Sequence, residues 1–244
     1  MRELDIVYRR IQRPHPDQVL RGILCPMSDL YEGLNADVRD RGLMSPRMRP
    51  LNRGLRIFGP AVTVRCFPGD NLMLHKALLL AERGDVLVVQ GGNPCGALWG
   101  DLAAIYAEKK EIAGVIVDGC IRDCDALIER RYPVWSTAIA AAHPEKRGPG
   151  SVNVPIVCDT VEVRPGDLIS ADTDGVLVIR PDELEDAIVA AESRRLHEAE
   201  GAAAIEQGRS LFELHNLQVA FLASGVVEID ATWDDKAAVA STKS

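Results

Sequence analysis

The apolar positions along residues 16–150 form two kinds of segment that alternate. Short continuous apolar runs predict buried strands at 59–64, 86–89, 115–117 and 133–135. Between these runs, apolar residues recur at helical spacing, which predicts helices at 16–38 with an interruption at Pro26, 72–81, 101–110 and 123–130. Strands that alternate with helices indicate parallel βαβ units whose sheet is covered on both faces.

The pattern changes beyond residue 150, where short apolar runs follow one another directly. They predict closely spaced strands at 154–158, 161–163, 167–170 and 175–179. Turn residues at 165–167 and 172–175 separate these strands, which favours an antiparallel or barrel-like portion. A long helix is then expected from Pro181 to about Gln207, with Gly208 beyond its end, and a last helix follows it.

Composition and charge limit the classes of protein that the sequence can represent. Hydrophobic residues make up 47% of the 244 residues and charged residues 26%, which is typical of a globular protein. We find neither a linker nor a repeat, so one domain is expected over 1–233, with a flexible C-terminal tail at 234–244. The net charge of −8 argues against nucleic acid as a partner.

Membrane insertion and secretion are not expected either. No apolar run approaches the roughly 18 residues that a membrane-spanning helix needs. The first residues lack the basic start, apolar core and cleavage site of a signal peptide, so a cytoplasmic location is expected. The six cysteines include Cys120 and Cys124, but no second pair accompanies them, so they indicate small buried side chains rather than a zinc site.

A glycine-rich segment at 91–96 lies between a predicted strand and the predicted helix near Asp101. Such a segment exposes backbone N–H groups, and the start of a helix adds its dipole, so a small anion can bind there. The segment has neither the lysine of a phosphate-binding loop nor a dinucleotide-binding glycine pattern. The same glycines could also serve only to shape a tight connection between strand and helix.

Arg122 and Asp123 follow the next predicted strand, and ligands of open α/β sheets bind at the carboxyl ends of strands. A guanidinium group can bind a carboxylate through two hydrogen bonds. A neighbouring carboxylate can hold a divalent cation that keeps most of its water, as Mg²⁺ prefers. Taken alone, such a pair is more often a surface ion pair or a helix cap than a binding site.

Four segments together carry a resemblance to a known family. Asp101 is separated by 20 residues from Arg122 and Asp123, and Pro68-Gly69-Asp70-Asn71 precedes a helix that contains a histidine. The other two segments are 150–155 and 225–230. Through them the chain resembles the 4-hydroxy-4-methyl-2-oxoglutarate aldolases, also called 4-carboxy-4-hydroxy-2-oxoadipate aldolases. That family is related to the regulator of ribonuclease activity A, and the resemblance runs from roughly residue 3 to residue 230.

The resemblance implies a fold and an assembly. The expected fold class is α/β, a layered αββα-type sandwich around a small β-barrel-like core in a single domain. The family assembles as homotrimers or homohexamers with active sites at subunit interfaces. We therefore expect a second copy of the chain as a partner, together with a small 2-oxo acid as substrate.

The resemblance also implies roles for particular residues. Asp123 corresponds to the carboxylate that binds Mg²⁺ or Mn²⁺, and Arg122 to the group that binds the pyruvoyl portion of the substrate. The backbone of Gly100, Asp101, Leu102 and Ala103 corresponds to the cradle for the pyruvate carboxylate. Asp101 would also help to order a metal-bound or catalytic water molecule.

A glutamate from a neighbouring subunit completes the family's site. Glu198 is the best match for it, and Glu200 is the alternative. The matching helix in the family is rich in Lys and Arg, whereas this chain has Gly201-Ala202-Ala203-Ala204. This departure weakens the match for Glu198 and for the contact with a neighbouring subunit.

The activity that the resemblance implies is that of a divalent-metal-dependent class II aldolase. Such an enzyme cleaves a 4-hydroxy-2-oxo acid to pyruvate, and it decarboxylates oxaloacetate through the same enolate. The alternative is a non-catalytic regulatory protein that binds a ribonuclease or another partner, although such a protein has no need of Asp101, Arg122 and Asp123 together. A methyltransferase is not favoured, because no glycine-rich motif with a following acidic residue is present to hold a methyl-donor nucleotide.

Overall fold

Eleven strands lie in the part of the chain that the computed structural model describes, namely residues 5–35, 40–92, 96–230 and 232. Nine of them form one sheet, and two form a separate ribbon. In chain order the strands are β1 (Arg49–Pro50), β2 (Ile57–Arg65), β3 (Val86–Gln90), β4 (Ala97–Trp99), β5 (Gly114–Ile121), β6 (Val134–Ile139), β7 (Ser151–Val152), β8 (Ile156–Cys158), β9 (Val161–Val163), β10 (Leu168–Ala171) and β11 (Val176–Ile179).

The large sheet has a parallel half and an antiparallel half. Its main order is β1-β6-β5-β3-β2-β10-β11, with β4 paired to β5 and β7 paired to β2. The central strands β2, β3, β5 and β6 run parallel, whereas β10 and β11 are antiparallel to their neighbours. The predicted change from parallel units to closely spaced antiparallel strands is confirmed. The predicted α/β fold is confirmed as well, with the sheet curled into half of a barrel.

Continuous burial explains why the parallel strands show no alternation of polar and apolar residues. All four valine and leucine residues from Val86 to Val89 are buried, and so is every residue from Gly114 to Val117. A parallel strand packs side chains on both of its faces, so the sequence of such a strand is a continuous apolar run. Trp99, at the end of β4, stacks on Tyr132 with 5.8 Å between the ring centroids. This stack fixes the end of β4 to the segment that leads into β6.

The chain divides into two compact units, Met1–Arg194 and Arg195–Ser244, and among the described residues six helices begin in the first of them. They are α1 (Pro16–Leu24), α2 (Met27–Leu34), α3 (Leu72–Leu80), α4 (Asp101–Lys109), α5 (Cys124–Arg130) and α6 (Leu184–Glu206). The predicted interruption at Pro26 is confirmed. The long helix begins at Leu184 rather than at Pro181, because residues 181–183 form a turn.

The second unit contains the end of α6 and two short helices, α7 (Leu211–Leu214) and α8 (Leu217–Ala223). Ser210 begins α7 with a capping box, in which its hydroxyl accepts from the Glu213 N–H. Phe212 and Phe221 pack edge to face with 6.0 Å between their ring centroids. The predicted boundary between the domain and its tail, at 233/234, lies outside the described residues and stays a prediction.

Candidate active site

The ends of β4 and β5 bring together the residues that the sequence singled out. The two strands pair in parallel, with Ala97 opposite Cys120 and Trp99 opposite Ile121. The Arg122 N–H donates to the Trp99 carbonyl at 3.0 Å and extends this pairing by one residue. The segments that follow the two strands, 100–103 and 122–123, therefore start side by side at one edge of the sheet.

Helix α4 begins at this edge and presents its N-terminal amides there. Gly100 is the N-cap residue, and its carbonyl accepts the first helical hydrogen bond from Ala104 at 3.2 Å. The N–H groups of the first turn have no acceptor within a helix, and the helix dipole is positive at this end. The Asp101 N–H donates to Asp123 Oδ2 at 3.2 Å. The predicted cradle for a carboxylate, Gly100 to Ala103, thus coincides with a helix N-terminus beside Asp123.

Gly100 allows the cradle and the Asp123 carboxylate to approach closely. A Cβ atom at this position would lie 2.6 Å from Asp123 Oδ2 and 3.2 Å from Arg122 Cγ. Its backbone is extended, with φ of −164°, so conformational freedom is not the reason for glycine here. The missing side chain leaves room beside the carboxylate for a ligand of Asp123.

Asp123 adopts a left-handed backbone conformation, with φ of 57°, as the N-cap residue of α5. Asp is among the few residue types that enter this region readily, and such conformations cluster at functional sites. Its Oδ2 lies 3.5 Å from Arg122 Nε, and the two side chains are 41% and 32% exposed, respectively. Both groups are therefore open to a ligand from solvent.

Arg130 fixes the position of Asp101 from the far end of α5. Its Nη2 atom lies 3.5 Å from Asp101 Oδ1, and its Nη1 atom donates to Glu108 Oε2 at 2.9 Å. Hydrogen bonding to Glu108, together with the charges of Glu108 and Asp101, raises the pKa of Arg130. Arg130 was not predicted from the sequence. The signal that could have indicated such a residue is the spacing of Asp101 and Glu108, which are seven residues apart and share the face of α4 that Arg130 contacts.

The donor set suits a cation that retains most of its water. Within the described residues, no group of three or more His, Cys, Asp and Glu side chains could hold a metal ion, and Asp123 offers one exposed carboxylate beside the cradle. Mg²⁺ is commonly bound by one or two carboxylates together with water and substrate oxygens. Burial, followed by the charges of Asp125 and Asp123, raises the pKa of the Cys124 thiol.

Asp70 fastens the loop 142–148 to the start of α3, next to the cradle. Its Oδ2 accepts from the N–H groups of Arg147 at 2.5 Å and Gly148 at 2.7 Å, and its Oδ1 accepts from Leu72 at 2.8 Å. Burial alone would raise the pKa of Asp70, but these three donors and the charge of Lys146 lower it below its ordinary value. The carboxylate form of Asp70 therefore stabilises the folded loop.

We expect Asp70→Asn to lower the free energy of unfolding by about 2 kcal/mol at neutral pH, since an amide accepts these hydrogen bonds less well. A carboxyl group with a lowered pKa contributes its full stability above its unfolded pKa of about 4. That contribution is lost as the pH falls through the folded pKa, so the difference between wild type and variant should shrink at lower pH. Urea unfolding at neutral and acidic pH measures this difference in the free energy of unfolding. Asp174→Asn, at an exposed position, is the control. A difference that stays constant with pH would contradict this role.

Glu198 and Glu200 lie on α6 in the second unit, and both are exposed. The roles of these two residues stay predictions. Among the described residues, no helix has the length and apolar character needed to cross a bilayer.

A family model and a curated relative show the family to which the chain belongs. The family described as "RraA-like: Aldolase/RraA" matches residues 27–178. A relative from Halalkalibacterium halodurans named "Putative 4-hydroxy-4-methyl-2-oxoglutarate aldolase" is 37% identical over 170 residues, which cover 69% of this chain and 78% of the relative.

Two solved structures share the fold. An uncharacterized protein from Pseudomonas syringae aligns with a TM-score of 0.73 and 25% identity, over 84% of this chain and 99% of its own. Streptomyces coelicolor RraAS2, described as an unusual member of the RNase ES inhibitor RraA family, aligns with a TM-score of 0.72 and 28% identity. The alignment covers 79% of this chain and 99% of RraAS2. The helix N-terminus, Arg122 and Asp123 thus belong to a fold shared with these proteins, and the chain is a member of the RraA-like, Aldolase/RraA family.

Proposed function

We propose that this chain is a divalent-metal-dependent carbon–carbon lyase that releases pyruvate from a 4-hydroxy-2-oxo acid. One observation carries the proposal. The amides at the start of α4, the guanidinium of Arg122 and the carboxylate of Asp123 meet at one exposed edge, with Asp123 Oδ2 at 3.2 Å from Asp101 N and 3.5 Å from Arg122 Nε. The name of the Halalkalibacterium halodurans relative supports an aldolase.

The cradle and Arg122 suit the 2-oxo acid end of such a substrate. The substrate carboxylate accepts from the first-turn amides of α4, where the helix dipole favours negative charge. Arg122 donates to the oxygen at C2, on which negative charge develops during the reaction. A donor aimed at developing charge stabilises the transition state more than the bound substrate, so Arg122 contributes to the rate as well as to binding.

Asp123 would hold Mg²⁺ or Mn²⁺, with water and substrate oxygens as the other ligands. When bound, the cation supplies Lewis acidity toward the 2-oxo group. Asp123 also accepts from the Asp101 amide, so one carboxylate fixes the cation site relative to the cradle.

The bond changes follow from these roles. A base removes the proton of the C4 hydroxyl, the C3–C4 bond breaks, and its electron pair forms the enolate of pyruvate, which takes a proton at C3. We assign the ordering of the basic water to Asp101, which Arg130 holds in place, and to the predicted glutamate of a neighbouring subunit, Glu198 or Glu200. Loss of CO₂ from oxaloacetate leaves the same enolate, so the same residues serve decarboxylation.

The direct test is pyruvate release from 4-hydroxy-4-methyl-2-oxoglutarate, 4-carboxy-4-hydroxy-2-oxoadipate and oxaloacetate. We expect turnover of at least one of them with Mg²⁺ or Mn²⁺, complete loss with EDTA, and recovery when excess cation is restored. Turnover that EDTA does not affect would contradict the metal requirement. Absence of turnover with all three substrates and both cations would contradict the proposed lyase.

The second candidate function is regulatory binding to a ribonuclease. The observation that favours it is the structural similarity to Streptomyces coelicolor RraAS2, which is described as a member of a ribonuclease-inhibitor family. A pure binding protein does not need the contacts among Asp101, Arg122 and Asp123. Failure of the turnover test, combined with inhibition of a ribonuclease by the purified chain, would favour this function.

We also propose that the chain assembles as a homotrimer or homohexamer. A cavity of about 360 Å³ between α3 and α4 has mostly apolar walls, and among them Leu79 and Leu102 are 62% and 79% exposed. A second copy over this cavity would bury apolar surface and enclose the cradle that contains Leu102. A monomeric mass in light scattering would contradict this assembly and the predicted glutamate from a neighbouring subunit.

A further inference from the structure

His143 contacts Arg122 through Nδ1 of its imidazole ring, which acts as a hydrogen-bond acceptor. Arg122 Nη1 and His143 Nδ1 are 2.8 Å apart. A guanidinium has only donors, so Nδ1 must be the acceptor, and the proton of the neutral imidazole must be on Nε2. The contact therefore requires one tautomer of His143.

The backbone on both sides of His143 is fixed, although its side chain is exposed. Before it, the Ala142 carbonyl accepts from the Ala97 N–H at 2.9 Å. After it, the Glu145 N–H donates to the Gly69 carbonyl at 2.9 Å, and the Glu145 carbonyl accepts from the Asn71 N–H at 3.0 Å. These bonds tie residues 142–145 to β4 and to the turn before α3.

Close packing adds to these hydrogen bonds. Pro144, which follows His143, is buried. A Cβ atom on Gly96 would lie 3.1 Å from Pro144 Cα and 2.9 Å from the Gly69 carbonyl oxygen. The loop thus lies directly against the segment that leads into β4, and the Asp70 carboxylate holds its far end through Arg147 and Gly148.

We infer that His143 is a positioning residue for Arg122, which it holds in the orientation that binds a 2-oxo acid. Two contacts restrict the orientation of the guanidinium. Asp123 Oδ2 lies 3.5 Å from its Nε atom, and His143 Nδ1 lies 2.8 Å from its Nη1 atom. Among the described residues these are the contacts of the guanidinium, and its remaining N–H donors stay available to the substrate. A side chain as long as arginine loses much rotational freedom on binding, and a fixed orientation before binding reduces that loss. The inference rests on the proposed function, in which Arg122 binds the substrate.

The test measures binding of oxalate, an analogue of the pyruvate enolate, by calorimetry with Mg²⁺ present, together with kcat and KM. We expect His143→Ala to weaken oxalate binding about tenfold and to raise KM more than it lowers kcat. His143→Asn, whose Oδ1 replaces the Nδ1 acceptor, should bind oxalate nearly as the wild type does. Arg147→Ala is the matched control, because it removes an exposed side chain from the same loop and keeps the N–H that Asp70 binds.

The imidazole nitrogens of His143 provide a readout that needs no activity. In ¹H–¹⁵N spectra of the imidazole groups, we expect the Nε2–H tautomer of His143 in the wild type and a mixture of tautomers in Arg122→Ala. Equal oxalate binding by wild type and His143→Ala, with activity intact, would overturn the inference and leave the proposed function standing. If the wild type neither binds oxalate nor releases pyruvate, the proposed function fails. The tautomer of His143 then decides whether this residue positions Arg122. If the tautomer is the same in Arg122→Ala as in the wild type, that role is overturned.

Discussion

Asp123→Asn is expected to reduce metal-dependent pyruvate release by about three orders of magnitude. Lewis-acid stabilisation of a developing oxyanion contributes several kcal/mol, and each 1.4 kcal/mol or so corresponds to a tenfold change in rate. A neutral amide binds a divalent cation far more weakly than a carboxylate does. The asparagine oxygen can still accept from the Asp101 N–H, and Asn tolerates the left-handed backbone of this position. The variant should therefore fold normally.

The measurement combines steady-state kinetics with titration of Mn²⁺, whose binding can be followed directly by electron paramagnetic resonance. The matched control is Asp125→Asn, an exposed carboxylate two residues further along, in the first turn of α5. We expect this control to change kcat/KM by less than about twofold, as surface substitutions away from a site do. Wild-type turnover by Asp123→Asn at saturating Mg²⁺ would show that Asp123 is not the cation ligand.

The sequence predicted most of the fold because burial on two faces leaves a clear pattern. The runs at 86–89 and 115–117 are continuous because both faces of β3 and β5 are covered by apolar side chains. In contrast, β4 was not predicted. Its three residues are too few to show any periodicity, and this strand is defined by its pairing with β5 rather than by its own composition.

The site could be predicted only in part, for a related reason. Arg122 and Asp123 come just after the predicted strand β5, and the resemblance groups them with Asp101. The pairing of β4 with β5, which the sequence did not predict, is what brings the three residues together. Arg130 and His143 depend on other features, namely the length of α5 and the attachment of the loop 142–148 to the turn before α3. These are long-range contacts between irregular segments, and no local pattern in the sequence encodes them.

Gly100→Ala is expected to lower kcat/KM by about a hundredfold while leaving stability nearly unchanged, an effect similar to losing one oxyanion donor. The extended backbone of Gly100 suits alanine, so little conformational strain results. The added Cβ, however, would lie 2.6 Å from Asp123 Oδ2, a distance that forces the carboxylate away from the Asp101 N–H. Kinetics and thermal unfolding together separate these two effects.

The control for Gly100→Ala is Gly175→Ala, where an added Cβ would lie 3.9 Å from its nearest neighbours, an ordinary contact distance. A double-mutant cycle then identifies the residue through which Gly100 acts. If the added methyl group acts by displacing the carboxylate of Asp123, Gly100→Ala should cause little further loss in the Asp123→Asn background. Independent, multiplying losses would instead mean that the methyl group blocks the substrate carboxylate at the start of α4. Either result places Gly100 at the site. Only a small further loss in the Asp123→Asn background would show that Gly100 acts through the proposed cation ligand, Asp123.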